Sequence, residues 1–213
     1  MSIYGINYIL NENSMLMDIV AQVMAVYAEM DQQVVAFQLK SGLRCLAGCG
    51  RCCPQAPVEA TVLEMLPVAN EILLRGQGDV WLENLRGKEN SADCVFYSDY
   101  PDPGSQGHCT FYNWRPTVCR LFGFAAVRTR HKQKKLSVCK YLKPGHPAEV
   151  AAAMVLQAEA PCFSDAASRV YSIKPDLGAN LMPINAALRN AILHLGLRMQ
   201  LGQSEALGTV TAA

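Results

Sequence analysis

Cys45-Leu46-Ala47-Gly48-Cys49-Gly50-Arg51-Cys52-Cys53-Pro54 is the densest run of reactive side chains in the chain. Thiolates two or three residues apart can converge on one centre where a tight turn aims their sulfurs inward, and Gly48 and Gly50 permit such a turn. The C-x3-C-x2-C-C-P spacing points to a metal ion or cluster ahead of thiol redox chemistry or buried structural cysteine. Adjacent Cys52 and Cys53 add a constraint, because neighbouring side chains diverge. Both sulfurs on one small zinc ion would be awkward. One of them can serve a second site, join a multi-iron cluster, or simply pack nearby.

The rest of the chain is built to carry such a centre. It has 213 residues, 51% hydrophobic and 17% charged, which is globular and excludes disordered or collagen-like chains. The length predicts a single domain, 1–213, with a substantial core. Lys+Arg 19 against Asp+Glu 18 leaves +1, so overall charge argues for neither nucleic acid nor membrane. The opening MSIYGINYILNENSM has no basic n-region, and Asn11-Glu12-Asn13 interrupts any apolar h-region. No secretory signal and no membrane span are expected. A cytoplasmic chain keeps its thiols reduced, which favours metal ligands over disulfides for nine cysteines.

Three zones follow. Residues 14–39 predict one long helix, with Ser14 as N-cap and Leu16, Val20, Val23, Tyr27, Met30, Val34 and Phe37 on one stripe. That stripe is expected to be intramolecular core, with a homodimer seam through the N-terminal helix as the other reading. Residues 41–145 form the cysteine-rich zone. Thr61-x-x-Glu64 is a capping box, Gly76 a C-terminal stop, and Pro67 should kink or shorten the helix between them. Residues 99–107 read as loop, and 122–130 can pair with 136–141 as a hairpin across the turn 131–135. Residues 146–201 are helical again, with Pro147 in a first turn and a last helix from Pro183; the tail 202–213 should fray. The expected fold is mainly α, with an irregular cysteine-rich, metal-stapled centre flanked by helices and one short β-hairpin.

Four more cysteines fall in the middle zone: Cys94, Cys109, Cys119 and Cys139. Cys109-Thr-Phe-Tyr112-Asn-Trp-Arg115-Pro116-Thr-Val-Cys119-Arg120 is the second informative block. With the Cys45, Cys49, Cys52, Cys53 run and Cys94-Val-Phe between them, the chain resembles the YkgJ-like cysteine-cluster family of bacterial proteins over residues 40–145. The resemblance implies zinc or iron chelation, with Cys45, Cys49, Cys52, Cys53, Cys94, Cys109, Cys119 and Cys139 as the metal-ligand pool. Gly123 stands where many relatives continue with proline, which matters little for ligation. Flagellin lysine methylases share a related cysteine motif, so a cluster-dependent protein-modifying enzyme is a distant alternative.

Zinc favours closed four-thiolate sites, whereas closely spaced cysteines ending in Cys-Pro occur around iron–sulfur clusters. Cys52-Cys53-Pro54 tips the choice to an iron–sulfur cluster, 4Fe-4S favoured, with structural zinc in an interaction protein as the alternative. Either centre is anionic and needs cations beside it, and Arg51, Arg115 and Arg120 adjoin the ligands in sequence. The Cys45, Cys49, Cys52 triad also matches that of radical S-adenosylmethionine enzymes. An arginine stands where those have an aromatic residue, and strands do not alternate with helices as their barrel requires.

His108, His131, His146 and His194 form no catalytic constellation, and no paired carboxylates, nucleophile elbow or phosphate-binding loop appears. Between Asp102 and Glu149 there is no acidic residue but nine Lys and Arg. Most of that charge can offset thiolates. The turn 131–135, with Lys132, Lys134 and Lys135 away from any cysteine, is the place for an acidic protein partner; nucleic acid is disfavoured there.

Overall fold

The computed structural model describes residues 3–45, 50–53, 57–98 and 107–210, with side chains from 15 to 199 within those spans. Cys49 and the loop residues 99–106 lie outside the described residues. The helices are α1 (Ile3–Ser41), α2 (Val62–Leu74), α3 (Gly78–Leu85), α4 (Thr117–Leu121), α5 (Leu142–Gly145), α6 (Pro147–Val155), α7 (Phe163–Ile173), α8 (Pro175–Gly178) and α9 (Ile184–Val210). Six short strands, β1 (Glu59–Ala60), β2 (Tyr97–Ser98), β3 (His108–Cys109), β4 (Ala126–Arg128), β5 (Lys134–Leu136) and β6 (Met182–Pro183), pair as three two-stranded ribbons. The chain is mainly α, as expected, and no sheet closes among the described residues. Among the described residues no helix is long and apolar enough to cross a membrane.

The predicted stripe on α1 is the spine of the core. Leu16, Val20, Val23, Tyr27, Met30, Val34 and Phe37 are all buried against the rest of the chain, where α1 meets α2, α4, α6, α7 and α9. The stripe is therefore used within the molecule. The helix begins at Ile3, so Ser14 lies inside it and not at its N-cap position. At the other end α9 passes Gly202 and runs to Val210, beyond the point where the small polar composition predicted fraying.

Helix α2 shows local sequence signals at both ends. The Thr61 side chain accepts from Glu64 N, and Glu64 Oε2 accepts from Thr61 N, closing the capping box. At its end Gly76, at φ +67°, donates to Leu73 O while Gln77 N reaches Ile72 O, a Schellman motif that satisfies the last carbonyls. Pro67 does not shorten it: the helix runs through to Leu74 with Pro67 buried. Burial of Leu63, Leu66, Ala69 and Ile72 along the same helix outweighs the lost backbone bond.

Antiparallel pairing of Glu59 with Pro183 and Ala60 with Met182 ties the entry of α2 to that of α9. The expected hairpin is present but shorter, pairing Ala126 with Leu136, Val127 with Lys135 and Arg128 with Lys134. The turn therefore lies at 129–133, with Lys132 at φ +62°, and Lys134 and Lys135 belong to β5. Lys134 Nζ is anchored on Ala160 O at 2.7 Å.

Candidate metal centre

The motif cysteines among the described residues come from turns, one short strand and one short helix. Cys45 follows α1 by four residues and is exposed. Cys52 and Cys53 lie in a turn closed by Cys53 N donating to Gly50 O at 3.0 Å. Cys94 opens the turn into β2, its carbonyl accepting from Tyr97 N. Cys109 sits in β3 opposite Tyr97, Cys119 rides on α4, and the Cys139 carbonyl accepts from Leu142 N at the entry to α5. Gly123, at φ +87°, lets the chain pass Cys139, where a Cβ would come within 3.3 Å of the Cys139 Cβ.

All seven of these cysteines line one cavity of about 1520 Å3, together with Arg51, Arg115 and Arg120. None is in a disulfide. Cys162, outside both motifs, is buried in a separate smaller cavity beside Ser164. Among the described residues, no three His, Cys, Asp or Glu side chains are already closed into a metal cage. The thiols share a cavity and an electrostatic field rather than a finished polyhedron.

That field is legible in their acidities. The Cys53 thiol donates to the Cys52 sulfur, which pulls Cys52 down to about 6 against the opposing effect of burial, with the Arg115 charge helping. Cys53 is pushed up by that same bond, by burial and by the neighbouring Cys52, Cys109 and Cys94. Burial raises Cys94 to about 11 and also raises Cys109 and Cys119, while Arg115 acts to lower the last two. Cys52, Cys53, Cys94, Cys109 and Cys119 thus form one interacting group. Negative charge cannot collect in it without a cation; a bound metal reverses the balance by taking thiolates outright. A soft, all-sulfur donor set of this kind fits zinc or iron–sulfur chemistry.

A pH dependence follows for the metal-free, reduced protein. Cys94 ionises at about 11 when folded against about 9 in the unfolded chain, so the folded state holds more protons above pH 9. Stability contributed by that burial is present below pH 9 and lost as pH rises towards 11, by about 2–3 kcal/mol. Cys52, lowered to about 6, acts the other way: the unfolded thiol still holds its proton near pH 8, so its contribution rises with pH until about 9–10 and is constant above that. Cys53, Cys109 and Cys119, also raised, add to the loss, so urea unfolding of metal-free protein between pH 9 and 11 should show it and Cys94→Ser should make the slope shallower. An unchanged slope in the variant would contradict the assignment.

The three arginines take different places. Arg115 sits over the Tyr112 ring at 3.3 Å, with Nε on Tyr112 O and Nη1 on Cys119 O, leaving its charge beside the thiols. Arg51 lies over the Tyr141 ring at 5.0 Å. Arg120 is buried, and its guanidinium points into the protein: Nη1 to Asp31 Oδ2 at 2.5 Å, Nε to Arg115 O at 2.8 Å, Nη2 to Asn113 O, with the plane over Tyr27.

Beneath Arg120 lies a polar network absent from the sequence reading. Tyr27 donates to Glu64 O at 2.9 Å, burial first and Glu64 second keeping its hydroxyl protonated. Glu64 Oε1 accepts from Thr117 N at 3.2 Å, so the capping-box carboxylate also pins the start of α4. Asn185, fully buried at the head of α9, accepts from Val95 N and donates to the carbonyls of Lys88 and Asp93. It thereby fixes the backbone next to Cys94. No local motif marks Asn185, Tyr27 or Asp31.

Residues 44–140 match the model of the CxxCxxCC family, described as "Putative zinc- or iron-chelating domain". The match covers nearly the span, 40–145, over which the sequence resembles cysteine-cluster proteins. No curated protein and no solved structure matches the chain.

Proposed function

We propose, on the premise that residues 44–140 form a CxxCxxCC zinc- or iron-chelating domain, that the protein carries an iron–sulfur cluster, 4Fe-4S in type, held by cysteine thiolates. The observation that supports this reading is the gathering of seven cysteines around one cavity, five of them in mutual electrostatic contact. A single zinc ion uses four thiolates at about 2.3 Å and needs far less room. The irons of a cluster are spread over a larger volume, which also accommodates the neighbours Cys52 and Cys53. Ligands are drawn from Cys45, Cys49, Cys52, Cys53, Cys94, Cys109, Cys119 and Cys139. When bound, the cluster supplies one-electron chemistry. The chain's own part is to bury the thiols, set Arg115 and Arg51 against the cluster charge, and hold Cys119 in place through Arg120.

Anaerobic purification with elemental analysis and an acid-labile sulfide assay tests this. Iron with matching sulfide is the expected result. Stoichiometric zinc without sulfide would overturn the cluster and leave a zinc-stabilised interaction protein. Neither metal would overturn both.

A further inference from the structure

We propose that the cavity beside the thiols also binds a small organic monocarboxylate with an apolar body; the charge count behind this rests on the metal reading above. The cavity, at about 1520 Å3, exceeds the roughly 300–1,000 Å3 of ordinary small-molecule sites even before a metal centre takes its share. Its walls are unusually apolar for an open surface. Val35, Leu39, Tyr112, Phe122 and Leu181 all line it and all remain exposed, from 42% for Phe122 to 68% for Leu39. Five large apolar side chains around one concavity form a patch of the kind that marks a ligand or partner site.

The charges select the ligand's polar end. Five cations line the cavity, Arg44, Arg51, Arg115, Arg120 and Lys140, against two carboxylates, Asp31 and Glu59. Asp31 is taken by Arg120. Among the described residues neither Arg44, Arg51 nor Arg115 has a carboxylate within ion-pair distance. A four-thiolate zinc site, or an oxidised cluster on four cysteines, carries about −2 by counting ligand and metal charges. The lining's surplus of three positive charges therefore falls to about one. One carboxylate on an apolar body satisfies both the remaining charge and the exposed apolar wall.

The test is calorimetry on the metal-loaded full chain with two matched pairs, octanoate against octanamide and 3-phenylpropionate against its amide. At least one acid should bind about tenfold or more tightly than its amide. Arg44→Gln, at an exposed position outside the ligand set, should weaken that acid about fivefold and leave the amide unchanged. Leu39→Glu should weaken both. Equal binding of acid and amide, no binding of any probe, or full acid affinity in both variants would overturn the proposal. Metal analysis of the same samples separates the two readings: a wild type without metal counts against the metal centre, whereas a loaded wild type that does not discriminate counts against the carboxylate site.

Discussion

Cys119→Ser should remove most of the bound metal and lower the thermal midpoint by about 10–20 °C, whereas Cys162→Ser should do neither. Structural zinc or cluster binding contributes on the order of 10 kcal/mol to folding, so losing one strong ligand costs several kcal/mol. For a chain of this length each kcal/mol shifts the midpoint by about 2–4 °C. Cys119 is half-buried beside the thiols of Cys94, Cys109 and Cys52, and serine's hydroxyl cannot replace a thiolate towards a soft metal. Cys162 is buried, but it lies in the other cavity at the N-cap of α7, a position that serine occupies well. Metal content by mass spectrometry and circular dichroism melts on both variants decide the matter. Metal lost from Cys162→Ser but kept by Cys119→Ser would refute the assignment.

Arg120→Met should destabilise the protein by about 2–4 kcal/mol with or without metal. Methionine keeps an apolar stem but abandons the guanidinium's stacking on Tyr27, its bond to Asp31 and the carbonyls of Asn113 and Arg115. Breaking a buried charge pair costs about 3–5 kcal/mol; Asp31 is half exposed and recovers water, which reduces the figure. Arg120→Lys should restore little, since a single ammonium cannot span the fork. Denaturation after chelation separates this variant from Cys119→Ser, whose penalty should vanish once metal is removed. A penalty for Arg120→Met that also vanished would place its guanidinium at the centre.

The contrast between Cys119 and Arg120 explains how far the sequence carries. Its local patterns are faithful: the α1 stripe is buried throughout, and the capping box and Gly76 stop bound α2. Both are decided within a few residues. Arg120 was grouped with the thiols because it follows one, yet successive residues on a helix point about 100° apart. Both side chains border the cavity, but Cys119 meets the thiols while Arg120 is spent on Asp31 and the carbonyls of Asn113 and Arg115. Its partner Asp31 is 89 residues away, and Asn185 lies 90 from Val95. No period or spacing encodes such contacts. That the helix continues through Pro67 has the same cause, since burial against distant helices holds it there. The gathering of the cysteines was legible because metal ligands announce themselves by type, though which of them share a centre was not.

Asn185 also sets an order of events during synthesis. The loop it grips at Lys88, Asp93 and Val95 leaves the ribosome some ninety residues before it. At about 5–20 residues per second that interval is on the order of five to twenty seconds. Over its second half, once Cys139 has been added, the cysteine-rich middle is already made while the side chain that sets the backbone beside Cys94 is not. Thiols emerging into the cell during this time face any metal or oxidant present before their final geometry exists. The complete site is thus a late product of translation.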